Sequence, residues 1–116
     1  MFGSIESKVQ KIAGLGEKKK TDKILKFATV KEPQLRIAAA KALAGIAQDE
    51  SYNQLVLMTR DPDLGVRKAA VTALGDMGRK SGADHVRHVM ASESDPEIIK
   101  LCQVAVSKIV NSESHR

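Results

Sequence analysis

The sequence predicts an all-α protein, an α-solenoid of antiparallel helix pairs stacked on one another, and three observations carry that prediction. Glu32-x-x-Leu35-Arg36-x-x-Ala39-x-x-Ala42-Leu43-Ala44 recurs 31 positions on as Asp63-x-x-Val66-Arg67-x-x-Ala70-x-x-Ala73-Leu74-Gly75, and self-similarity at a fixed period marks stacked supersecondary units. Pro33, Pro62 and Pro96 each follow an acidic residue, namely Glu32, Asp61 and Asp95. An acid at the N-cap accepts free backbone N–H groups, and proline at the first helical position has no N–H to leave unpaired. Apolar residues then follow each proline at the spacing of one helix face.

Taken in order, residues 4–15 form a first helix with Ile5, Val9, Ile12 and Leu15 on one side. Shifted by 62, twice the period, Val9 falls on Val71, Ile12 on Leu74 and Leu15 on Met77, so this helix is the second half of a repeat. Three proline-led helices follow, here called B helices, at about 33–47, 62–77 and 96–110. Their stripes are Leu35, Ala39, Ala42, Leu43 and Ile46; Val66, Ala70, Ala73, Leu74 and Met77; and Ile98, Cys102, Ala105, Val106 and Ile109. Shorter A helices precede them at Lys23–Thr29, Ser51–Thr59 and Asp84–Ala91, the second opened by a Ser51-x-x-Gln54 capping box. Gly78, Ser81, Gly82, Asp49 and Glu50 mark the turns between units. The expected organisation is one domain over 1–116: a half-repeat at 4–16, repeats at about 21–47, 50–78 and 82–110, and a polar, frayed tail at 111–116. Seven helices result.

The motif Asp-x-x-Val-Arg-x-x-Ala-x-x-Ala-Leu-Gly resembles the HEAT repeat, in the short variant also found in phycobilisome lyases. The resemblance is complete over 63–75, strong over 32–44 and degraded over 96–110 and 4–15. It implies a right-handed solenoid of the kind that serves as a binding scaffold. It also implies a structural ladder in which Arg36 and Arg67 reach Asp63, Glu32 or Asp95 of an adjacent repeat. DNA glycosylases of this fold present aromatic side chains, and this chain has two Phe, one Tyr and no Trp. Bilin lyases of this fold are longer.

The sequence contains no catalytic, cofactor or metal constellation. His85 and His88 lie three apart beside Asp84, but zinc takes three or four ligands and nothing completes the set. His115 sits in the tail. The acids around the prolines serve as caps. Cys102 falls on the apolar stripe, where a free cysteine behaves as a small hydrophobe. A single thiol, no apolar run of membrane-spanning length and a start without a signal region point to the cytoplasm.

Two kinds of surface remain. The expected concave side, lined by B helices, offers Lys41, Lys68 and Thr72 to a protein partner. The last B helix has nine apolar residues in thirteen positions, with Leu101 and Val104 off the main stripe, which suggests an end contact with a partner, with a second copy as a homodimer, or with further repeats of a longer solenoid. Residues 1–31 contain eight lysines, no arginine and three acids, and so account for the whole net charge of +5. Lys18, Lys19, Lys20, Lys23 and Lys26 are candidates for a polyanion such as nucleic acid, for an acidic protein, or simply for solubility. The sequence thus points to a non-enzymatic scaffold. Sequence-independent nucleic-acid binding and a regulatory subunit of an enzyme complex stand as alternatives.

Overall fold

The computed structural model describes residues 3–114, and these form seven α-helices with no strand. They are α1 (Gly3–Glu17), α2 (Thr21–Leu25), α3 (Pro33–Leu43), α4 (Asp49–Met58), α5 (Leu64–Met77), α6 (Lys80–Ser92) and α7 (Pro96–Ser114). The B helices α1, α3, α5 and α7 lie side by side in one layer, each packed on the next. The A helices α2, α4 and α6 form the other layer; α2 touches α4 lightly and α4 hardly meets α6. The B layer is thus the more closely packed of the two, while α4 and α6 are joined chiefly through side chains, Thr59 with His85 and Tyr52 with Arg79. The radius of gyration is 13.8 Å, close to the roughly 13 Å of a compact domain of this length. Three units are too few to draw the stack into an extended rod.

The core lies between the layers. Ile24, Leu43, Leu55, Leu74, Val86 and Ile98 are essentially inaccessible. Ala39, Ala40, Ala70, Ala73 and Ala105 are buried among them, and their small side chains let helix axes approach closely. A second small cluster of Ile12, Leu35 and Ala38, flanked by Ile5, Val9, Phe27 and Val30, fixes α1 on α3. Cys102 is fully buried. Desolvation, helped by nearby Glu93, pushes its thiol up to about 11, so it is an inert packing residue.

Several helix ends differ from the sequence expectation, each for a local reason. Pro62 does not open α5. Asp63 is the cap, its carboxylate accepting from the Val66 N–H at 3.0 Å, and the helix starts at Leu64. Glu32 precedes Pro33 at the start of α3 but its side chain makes no cap bond. Asp95 does cap α7, accepting from the Glu97 and Ile98 N–H groups. Ser51 is not a cap: α4 begins two residues earlier, and Ser51 Oγ is buried without a partner. Gly82 is not in a turn but inside α6, where a Cβ would stand 3.3 Å from Ile109 Cδ1. Gly78 is the true terminator of α5, at φ 75°. The expected frayed tail is instead helical as far as Ser114, since Asn111 to Ser114 contain no helix breaker; His115 and Arg116 lie outside the described residues.

The register of α1 also shifts. Gly16 rests against Ala42, where an added Cβ would meet Ala42 Cβ at 3.0 Å, as Gly75 rests against Ala105. The offset of 62 puts Ala13 in that role. Gly16, three residues on, takes it, so α1 slides by almost one turn.

The arginine ladder is present with different acids. Arg36 Nε and Nη2 donate to the two Asp61 oxygens at 2.9 Å each, and Nη1 donates to the carbonyls of Val30 and Lys31. Arg67 repeats this: Nε donates to Glu93 Oε1 at 3.2 Å and Nη1 to the carbonyls of Asp61 and Pro62. Neither arginine forms a salt bridge with Asp63 or Asp95, because those carboxylates cap helices. Glu32 joins neither the ladder nor a cap among the described residues. Val30, 31 positions before Asp61, is apolar and packs in the cluster under α1.

Candidate functional site

Three clefts run side by side across the B face. The first, about 380 Å³, lies between α1 and α3 and is lined by Val9, Ala13, Gly16, Ala38, Lys41 and Gly45 among others. The second, about 330 Å³, lies between α3 and α5, with Ile37, Lys41, Ala44, Lys68, Thr72 and Asp76 in its wall. The third, about 50 Å³, lies between α5 and α7 and is lined by Thr72, Leu101, Val104, Ala105 and Lys108. Lys41 borders the first two and Thr72 the last two, so the clefts form one grooved surface.

The groove widths follow from the small residues between the helices. A Cβ on Gly75 would stand 2.9 Å from both Cα and Cβ of Ala105. That missing methyl lets α7 close down on α5. Ala44 occupies the same position of the preceding repeat and lines the wider cleft there.

Lys41, Lys68, Thr72, Leu101 and Val104 therefore all line this face. Lys41, Thr72 and Val104 stand at the same position of successive B helices. Lys41 and Thr72 are exposed, and Val104 is 50% accessible. Lys41 makes no ion pair among the described residues. Lys68 is not free: its Nζ lies 2.7 Å from Glu97 Oε2, and Lys108 pairs with Asp76 one turn further along α5. These two pairs bracket the narrow third cleft. Leu101 is half-buried. The arginines Arg36 and Arg67 do not border the clefts but are turned to the A–B turns. Sequence reading missed Ile37, Ala44, Asp76 and Lys108. The signal was available, since Asp76 and Lys108 lie one helical turn past Thr72 and Val104.

The end of α7 is less apolar in three dimensions than in sequence. Leu101, Val106 and Ile99 are half-buried, leaving Val104 and Val110 exposed on either side of the exposed Lys100, Gln103 and Ser107. Lys18, Lys19, Lys20, Lys23 and Lys26 are all exposed around the α1–α2 turn and α2. Lys19, Lys20 and Lys23 border a cleft shared with Asp22, Gln48 and Glu50. His85 takes a structural role. Thr59 Oγ1 donates to the Val56 carbonyl at 2.6 Å and lies 3.0 Å from His85 Nε2, so that nitrogen carries the proton and donates to Thr59. Burial, with Arg60 and His88 nearby, holds the His85 pKa below the ordinary imidazole value.

A profile of HEAT repeats matches residues 21–106. The chain belongs to the HEAT repeat family. A search of curated proteins found no match. The matched span includes α2 to α6 and the first part of α7, and so every candidate residue on the B face except Lys108 and those of α1. No described helix is long and apolar enough to cross a membrane.

Proposed function

We propose that this chain is a non-enzymatic scaffold that holds a protein partner against its B face, in the reducing cytoplasm that a single buried, free cysteine suits. One observation carries the reading: three adjoining clefts with mainly apolar walls cross the B face, joined by Lys41 and Thr72. A continuous groove of this kind accepts an extended segment or helix, with apolar side chains entering the clefts and Lys41 meeting a partner carboxylate. HEAT-repeat membership supports a protein as the occupant.

The test is a photo-crosslinking amino acid placed at Thr72, at Val104 or, as control, at Leu57, which is 66% exposed on helix α4 of the A layer. The reading expects the same discrete protein adduct from Thr72 and Val104 in source cells and none from Leu57. Adducts that are identical at all three positions, or absent at Thr72 and Val104, overturn it.

A further inference from the structure

All eight lysines of residues 1–31 are exposed, and none makes a side-chain hydrogen bond or ion pair among the described residues. Later in the chain, Arg36, Arg67, Lys68, Arg79 and Lys108 are each held by an acid at least 25 positions away. The excess charge of the molecule is therefore both concentrated and uncompensated at one end. Lys8 and Lys11 on α1, and Lys18 just past its end with its N–H still reaching the Gly14 carbonyl, recur at the spacing of one helix side. Ser4, Ser7 and Gly14 fall among them, and a Cβ on Gly14 would meet nothing within 4 Å. The acids of α1 are on the other side: Glu17 lines the groove toward α3, and Glu6 shares that side by helical spacing. Lys19, Lys20 and Lys23 follow around the α1–α2 turn but share their cleft with Asp22 and Glu50, so the unopposed part of the strip is Lys8, Lys11 and Lys18.

We infer that this strip is a second binding surface, distinct from the B face, whose ligand is the phosphate backbone of a nucleic-acid duplex. The lysines are unpaired point charges, suited to phosphates rather than to base edges. The small residues between them let a strand lie close to the helix, and the Ser4 and Ser7 hydroxyls add neutral donors. Lys8 to Lys18 span about 15 Å of helix axis, over which one strand of a duplex presents about four phosphates. Single strands are bound by stacking bases on aromatic rings. Among the described residues this face has none: Phe27 packs in the core and Tyr52 lies under Arg79, while Phe2 lies outside the described residues. A duplex is thus the form of nucleic acid that this surface fits.

The test is fluorescence anisotropy of labelled duplexes about 20 bp long, of two unrelated sequences, titrated between about 50 and 200 mM salt. Both sequences should bind within about threefold of each other, with a log–log salt slope of about −3 to −5. The triple substitution Lys8→Gln, Lys11→Gln, Lys18→Gln should weaken binding about tenfold or more and make the slope shallower by about 3. Arg60→Gln with Lys100→Gln, on other surfaces, should leave both quantities unchanged. Circular dichroism confirms that the exposed substitutions leave the helices intact. No binding at the lowest salt, equal loss in the control pair, or tighter binding of a single strand overturns the inference. Competition by polyglutamate as effective as by duplex also overturns it, and reassigns the strip to an acidic protein.

Discussion

Arg36 grips Asp61 through two parallel hydrogen bonds of 2.9 Å while its remaining nitrogen closes on the Val30 and Lys31 carbonyls. One guanidinium thus ties the A–B turn of its own repeat to that of the next. Both side chains are largely buried, at 13% and 11% exposure. Removing one partner of such a pair leaves the other desolvated and unpaired. Arg36→Ala should therefore destabilise the fold by about 2–3 kcal/mol, read as a lower urea midpoint. Arg36→Lys should recover little, because an ammonium cannot make the fork to Asp61 and also reach two carbonyls. Arg67→Ala should cost less, about 1–2 kcal/mol, since its contact with Glu93 is a single, longer bond of 3.2 Å.

That ladder shows which level of the fold is legible in sequence. The arginines and the alanine–leucine stripe repeat at fixed spacing because every unit packs on its neighbour in the same way. The choice of acid is not legible, because Asp61 and Asp63 are both near enough in sequence and differ only in which donor each meets. Asp63 is claimed by the Val66 N–H, which frees Asp61 for Arg36. The register of α1 escaped for a related reason: Ala13 and Gly16 are both small, and only the close approach to Ala42 selects the glycine. On the B face, the shared position of Lys41, Thr72 and Val104 could be read from the period. The closure of the third cleft could not, since it depends on a distance between two helices.

Two groups set the acid side of the stability profile. The folded-state pKa of His85 is depressed, chiefly by burial, so its contribution is complete above the unfolded imidazole value of about 6.5 and is lost as pH falls below it. Burial alone raises Asp61, but the hydrogen bonds from Arg36 and the Asp63 N–H outweigh it and its pKa is lowered. Its contribution is complete above about 3.9 and is lost at lower pH. Unfolding free energy should therefore fall in two stages as pH decreases. His85→Gln should flatten the upper stage and leave the lower one. Asp61→Asn should lower stability at neutral pH and flatten the lower stage. Urea titrations from pH 8 to pH 3 check both signs.

Lys19 holds φ at 55°, the left-handed region. It ends α1 in the manner of a terminating glycine: the Lys20 N–H reaches the Leu15 carbonyl and the Lys19 N–H the Gly16 carbonyl. A side chain in this conformation costs about 1–2 kcal/mol. Lys19→Gly should then stabilise the protein by about 0.5–1 kcal/mol, after the greater backbone entropy that glycine loses on folding. The urea midpoint should rise with an unchanged slope. The same variant removes one charge from the basic strip, so duplex affinity should fall slightly while stability rises, which separates the two effects.

Gly75 and Gly14 make opposite forecasts for the same substitution. At Gly75 an added methyl would meet backbone and side chain of Ala105 at 2.9 Å, and backbone cannot step aside without moving α7. Gly75→Ala should destabilise by about 1–3 kcal/mol through overpacking, even though alanine is the better helix former. At Gly14, with open space around the new Cβ, helix propensity decides and Gly14→Ala should stabilise by about 0.5–1 kcal/mol. Gly75→Ala should also push α7 from α5 and widen the third cleft. A thiol-reactive probe on Thr72→Cys would report this as faster labelling in the Gly75→Ala background than in the parent. Destabilisation without that faster labelling would mean that the strain is taken up on the core side, at Cys102 and Ile109, and not on the B face.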